Sequence, residues 1–255
     1  MGNMWIICRK ELRSYFVSPI AYLLLGMFAI VFGFFFWNAV GYFVYAGMEA
    51  QMRGGMFPLN LNEQVIRPLV SNVSVIGLFL IPMITMRLFA EEKRSGTIEL
   101  LVTAPIRDLE VVLGKWLAAM ILYAGMLLLT ALNFAWLFRY GNPDWKPLAV
   151  AYLGLLLQAG ALLAVGTFLS TLTRNQIVAG AATFGVCLLL WVLEWASDYE
   201  SATWSRVMAY LSILTHFEPF AKGLLSIKDA VFYLTAIVLG LFLTARSLES
   251  LRWRS

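Results

Sequence analysis

The sequence predicts an all-α membrane protein of six transmembrane helices. Bulk composition and the spacing of apolar runs carry that expectation. Of 255 residues, 61% are hydrophobic and 13% charged, with a mean hydropathy of +0.78; soluble domains are about half apolar and a quarter charged. Six apolar stretches, at about 19–46, 69–90, 110–138, 148–172, 177–196 and 230–248, reach or approach the roughly 20 residues a helix needs to cross a bilayer. No stretch is long and polar enough for a separate soluble domain, so 1–255 reads as one transmembrane domain.

Ahead of the first span, residues 4–16 read "MWIICRKELRSYF". Trp5, Cys8, Leu12 and Tyr15/Phe16 share one helical face, and Arg9, Lys10 and Arg13 lie off it. That pattern predicts an amphipathic helix in the membrane interface, either an anchor or a lever acting on the first span. Ser18-Pro19 supplies an N-cap and an N1 proline. The apolar run from Ile20 to Gly47 is too long for a signal-peptide core and reads as a retained span. Cys8 and Cys187 fall in a tail and inside a span, too far apart to pair.

Met48, Met52 and Met56 recur every four residues in the first outer loop. Thioethers suit soft Cu(I), and they equally suit the apolar face of a short interfacial helix. Pro82 sits inside the second span, where it frees a carbonyl and bends the helix; the bend is a hinge or a static kink. Asp108 sits where a cap starts the third span, and Gly141-Asn142-Pro143 stops it. Small residues in the fourth and fifth spans (Gly160, Gly166, Ser170, Ala179, Gly180, Ala182) suit close helix packing. Asn133 and Gln158 are uncharged polar residues at depth, suited to interhelical hydrogen bonds. The segment 197–228 is too apolar for a plain loop and too broken to span. It reads as two short helices split at Pro219, a re-entrant or interfacial hairpin at the outer face. Asp229 then starts the last span. His216, the single histidine, reads as a structural hydrogen-bonding residue rather than a metal ligand.

Orientation follows from Lys and Arg. With the N-terminus cytoplasmic, twelve of the 19 basic residues lie on that side and seven on the other. Both termini are then cytoplasmic, as an even span number requires. Net charge is +4, with no basic face outside the membrane-flanking segments, so a nucleic-acid partner is not expected.

One polar segment interrupts this pattern: "EEKRSGTIELLVTAPI", Glu91 to Ile106. Ser95-Gly96 breaks the preceding helix. Thr97 to Thr103 can form about two helical turns, roughly 10 Å long. Ala104-Pro105 ends them, because a residue before proline avoids the α region. Ile98, Leu101 and Val102 lie on adjoining faces, and Glu99 points elsewhere. This is a short apolar-edged helix held crosswise between two spans, to be covered by the membrane surface or by another protein.

Two enzyme classes are disfavoured. No GxxxxGK[ST] occurs, since Gly114-Lys115 lacks the following hydroxyl and the upstream glycine; Lys115 reads as a lysine snorkelling to the interface. No GxSG occurs, and His216 is expected at the outer interface, against an intramembrane serine protease.

The run "RLFAEEKRSGTIELLVTAPIRDLEVVLGKWLA", Arg87 to Ala118, and the later "HFEPFAKGLLSIKDAVFYL", His216 to Leu234, resemble the ABC-2-type permeases. They are similar to the gliding-motility and multicopper-enzyme-maturation subfamily. The resemblance extends over essentially the whole chain and implies the following. The helix between the second and third spans is a coupling helix that seats in a cytoplasmic ABC ATPase. Here it maps onto Gly96, Thr97, Ile98, Glu99, Leu101 and Val102 up to Pro105, with Ile98, Leu101 and Val102 as the docking ridge. Glu91, Glu92, Lys93 and Arg94 set salt-sensitive contacts around it, and Pro82 is the hinge candidate. The chain holds no cofactor; ATP and Mg belong to the partner ATPase dimer. A second permease copy, or a related permease, completes the pathway in a bacterial inner membrane, lined mainly by the first, second and fifth spans. Phe34, Phe35, Phe36 and Trp37 then face that interface or lipid. A competing implication is a mechanotransmitter that drives an extracytoplasmic or membrane partner without moving cargo. A channel or secondary carrier ranks below both, with no intramembrane acidic pair or cation ring in the sequence.

Overall fold

The computed structural model describes residues 2–52, 60–99, 105–193, 195, 207–208 and 210–252. The helices are α1 (Gly2–Val17), α2 (Ile20–Met52), α3 (Arg67–Thr85), α4 (Ala90–Ser95), α5 (Asp108–Tyr140), α6 (Trp145–Leu172), α7 (Gln176–Val192), α8 (Ile213–Ala221) and α9 (Ile227–Arg252). A π-helical turn, Asn62–Ile66, leads into α3. Among the described residues, five helices are long and apolar enough to cross a membrane: Ile20–Met52, Asn62–Ser95, Asp108–Tyr140, Trp145–Leu172 and Ile227–Ser250. The sixth apolar helix, α7, has 17 residues, about 25 Å at 1.5 Å per residue.

Helix ends follow local chemistry. The α5 helix stops at Gly141, whose amide still reaches the Leu137 carbonyl at 2.8 Å; Pro143 cannot continue it. The α7 helix starts on Asn175, whose side chain accepts from the Ile177 amide at 2.9 Å. Helix α6 is the hub of the bundle and packs on α3, α5, α7, α8 and α9. Its small residues permit this. A Cβ on Gly166 would lie 2.5 Å from Thr85 Oγ1 and 2.9 Å from Thr183 Cγ2, so α3, α6 and α7 converge where only glycine fits.

Several sequence expectations shift. The buried face of α1 is Ile7, Cys8 and Tyr15, while Trp5 is 59% exposed. The helix packs on α5 and α2, so its inward face is set by protein and its second apolar edge faces out. Met48 and Met52 belong to α2 itself, because the first span runs unbroken to Met52; Met56 lies outside the described residues. In α2 only Ala21, Leu24, Phe28 and Phe32 are buried. Phe34, Phe35 and Trp37 are exposed, whereas Phe36 packs against Phe134. Pro219 does not divide the segment before the last span. It sits within α8, and the break comes at Ser212, whose hydroxyl caps the Thr215 amide. Gln158 does bond between helices, taking Ser74 Oγ at 2.8 Å, but Asn133 turns back to Leu129 of its own helix.

Candidate functional site at the elbow of the second span

The second apolar helix is not continuous. Its hydrogen-bond ladder fails at Met86–Phe89, between α3 and α4. Pro82 has no amide to donate, and the Thr85 hydroxyl bonds back to the Ile81 carbonyl at 3.0 Å. The Leu88 amide takes the Thr85 carbonyl, a tightened three-residue closure. Phe89, at φ −123°, leaves the helical region. The interruption therefore begins one turn beyond Pro82.

Backbone groups opened by such a break must find partners in a buried setting. Three helices supply them. Tyr15 of α1 donates its phenol to the Ile84 carbonyl at 2.8 Å. Ser170 of α6 donates to the Met86 carbonyl and accepts from the Phe89 and Ala90 amides, each at 3.1 Å. Lys115 of α5 donates to the Leu88 carbonyl at 2.7 Å. Three alternate carbonyls, 84, 86 and 88, are thus answered from three directions.

Lys115 also carries the site's charge. Its side chain is 1% exposed, and Nζ lies 2.8 Å from Glu11 and 2.9 Å from Glu92, over the Phe89 ring. It does not snorkel; the carboxylates meet it inside the protein. Lys10 approaches the same two acids from the surface, 3.9 Å from Glu11 and 3.6 Å from Glu92. Next to this, Arg87 bonds Glu91 and Ser14 and lies over the Tyr15 ring. Lys93 donates to the Thr171 carbonyl at the end of α6. Glu92 Oε2 and Arg87 Nη1 remain buried without a hydrogen bond. A polar network left partly unsatisfied is less stable than a complete one.

Close packing makes these contacts geometrically accessible. A Cβ on Gly114 would sit 2.8 Å from the Met4 carbonyl and 2.9 Å from Ile7 Cβ. The Gly114-Lys115 pair thus has two jobs: the glycine admits the α1 backbone, and the lysine binds its Glu11. Burial, reinforced by Glu11, pushes the Tyr15 phenol above its ordinary range, so it stays a donor. Burial and the Glu11 charge also push the Cys8 thiol up.

Beyond the elbow, α4 ends at Gly96 in the left-handed conformation, φ 74°, where a Cβ is disfavoured. Ser95 turns its hydroxyl to the Glu91 and Glu92 carbonyls and to Thr97. Of the sequence-selected residues, Glu91 and Glu92 are engaged by Arg87 and Lys115, whereas Arg94, Gly96, Thr97, Glu99 and Pro105 are exposed. Ile98 begins a new helical turn, half-buried against the core. Leu101 and Val102 lie outside the described residues. Sequence reading missed Glu11, Ser14, Tyr15 and Ser170 as partners of the elbow. One signal was present: Glu11, Ser14 and Tyr15 recur at helical spacing beside the basic residues of the N-terminal segment.

Two comparisons with known proteins bear on this site. Residues 57–193, more than half of the chain, match the family described as ABC-2 family transporter protein. The match runs from ahead of α3 to the end of α7, and so includes the elbow, Lys115 and Ser170 but not α1. No curated protein matches the chain.

Proposed function

The chain belongs to the ABC-2 family of transporter proteins, multi-pass membrane subunits, and from that premise we propose that it couples a separate cytoplasmic ATPase to movement at a permease interface. ATP and Mg²⁺ would be held by that ATPase. The segment from Gly96 to Pro105 is the docking element, with Ile98, Leu101 and Val102 as its ridge. A second copy, or a related permease, supplies the other half of the pathway. Both termini lie on the ATPase side, in the inner membrane of a bacterium.

The observation that supports this reading best is the elbow. A docking element must transmit displacement without absorbing it. Helix α4 leads straight into the docking segment, and its junction with the span is held by Tyr15, Lys115 and Ser170 from three other helices. A push on the segment therefore reaches α1, α5 and α6 together. Pro82 one turn earlier, with an incomplete polar network around Arg87 and Glu92, supplies the compliance for a hinge.

The test is co-purification with a candidate P-loop ATPase co-expressed with this chain. Ile98→Asp with Leu101→Asp should abolish association while the chain still inserts. Retained association at the native level would remove the docking assignment.

A further inference from the structure

One side of α1 is committed to the protein, and the other faces out. The inner side is bonded from end to end. Asn3 donates to Glu110 of α5 at 3.1 Å, Glu11 takes Lys115 at 2.8 Å, and Tyr15 donates to the Ile84 carbonyl at 2.8 Å. At 3.6 residues per turn, Trp5, Leu12 and Phe16 form the next edge round the helix, and Arg9 and Arg13 follow it. Ile6 and Val17 lie beyond the arginines. Trp5, Phe16, Ile6, Val17 and both arginines are exposed. Glu11, the one acidic residue of α1, is turned inward. Among the described residues, Arg9 and Arg13 have neither an ion pair nor a hydrogen bond.

Unpaired cations set between large apolar side chains fit the boundary between lipid headgroups and acyl chains, where the two kinds of group are wanted side by side. A face turned to water does not keep so many large apolar groups together. The fold also says which edge points to the bilayer. Phe16 meets the Tyr22 ring edge-on at 5.9 Å, in the first turn of α2, the first of the long apolar helices. The Trp5–Phe16 edge therefore lies on the membrane side, with the arginines next to it. We propose that this outer face docks on a leaflet carrying anionic phospholipid, Arg9 and Arg13 on the lipid phosphates and Trp5 and Phe16 among the acyl chains, and that the contact steadies the elbow.

The link to the elbow follows from what α1 holds there. It has 16 residues, a length at which a helix alone in water is marginal. Its order thus depends on its two contact faces. If the outer contact loosens, Tyr15 is drawn from the Ile84 carbonyl and Glu11 from Lys115, so the break after α3 loses two of its supports. A zwitterionic leaflet offers the apolar contact without the net charge, and near an anionic surface each arginine adds to the attraction.

The test is amide hydrogen exchange at fixed pH on the full chain, in nanodiscs of phosphatidylcholine alone and of phosphatidylcholine with an equal part of phosphatidylglycerol. No ATPase is present, so the outcome does not depend on the docking assignment. In the anionic nanodisc, residues 5–16 and 86–90 should both exchange about tenfold more slowly, the effect of two basic residues at a charged surface. High salt should erase the difference. Arg9→Gln with Arg13→Gln, exposed and outside the bonds of the elbow, should exchange alike in both lipids. Soluble glycerol phosphate added to the phosphatidylcholine nanodisc should restore nothing. Equal exchange of the native chain in the two lipids overturns the proposal. So does a lipid response that the double variant keeps, which would report the local pH of the leaflet. Slowing by glycerol phosphate to the same extent would make this a phosphate site and not a membrane contact. Slowing at 5–16 without 86–90 would remove the link to the elbow.

Discussion

The ammonium of Lys115 lies 2.9 Å from the Glu92 carboxylate, with 1% of the lysine side chain exposed. The start of the third apolar span and the helix that ends the second thus share a buried ion pair, and Glu11 draws the N-terminal helix into it. Removing one member of a buried pair leaves charge without a partner, at about 3–5 kcal/mol. Lys115→Met, similar in length, should destabilise the chain by about that amount, read as a fall in detergent thermal midpoint. Adding Glu11→Gln and Glu92→Gln should recover a large part of the loss. A triple variant no more stable than Lys115→Met would show that the cost lies in packing rather than charge.

The Ser170 hydroxyl serves three backbone groups at once. In Ser170→Ala the Phe89 and Ala90 amides lose their acceptor while remaining buried. Each unmet group costs about 1–3 kcal/mol, although a water entering the vacated space would reduce that. Amide exchange should accelerate at Phe89 and Ala90 first and leave the middle of α6 unchanged. Uniform acceleration through α6 would place the role of Ser170 within its own helix.

Cys8 tests the packing of α1 through its thiol. It is fully buried, and burial together with the Glu11 charge raises its pKa above the ordinary thiol value. A raised pKa means less thiolate at a given pH, so alkylation should be slow at neutral pH and increase only above the usual thiol range. Glu11→Gln should speed labelling modestly by lowering the repulsion of the thiolate. Fast labelling of the native chain near neutrality would mean that α1 is undocked in the membrane.

The five long apolar helices were legible because their signals are local. The Gly141-Asn142-Pro143 stop and the Ser95-Gly96 break need only a few neighbouring residues to be recognised, and the apolar runs only their own length. The elbow was half legible. Pro82 pointed to a discontinuity, but its position at Met86–Phe89 depends on Ser170, which lies about eighty residues away in sequence. Lys115 was misread for the same reason. Near the start of an apolar helix a lysine reads as snorkelling, and only the α1–α5 contact, admitted by Gly114, shows two carboxylates waiting inside. Ion pairs between distant helices leave no periodic trace in a single sequence.

The orientation proposal has its own test, because the structure fixes which segments share an end. Lys93 of α4 donates to the Thr171 carbonyl, and the Thr171 hydroxyl bonds Ser247 of α9 at 2.8 Å. The end of the last span therefore lies beside the elbow, whatever side of the membrane that is. The proposed orientation puts this end in the cytoplasm, on the strength of its excess of Lys and Arg. In a chain with Cys8 and Cys187 replaced by alanine, single cysteines at Thr97 and Ser250 should both resist an impermeant reagent in intact cells. Both should react in inverted vesicles. Reaction of both from outside would reverse the orientation and remove the ATPase from the elbow. Reaction of one from each side would contradict the shared end, and with it the Thr171–Ser247 contact.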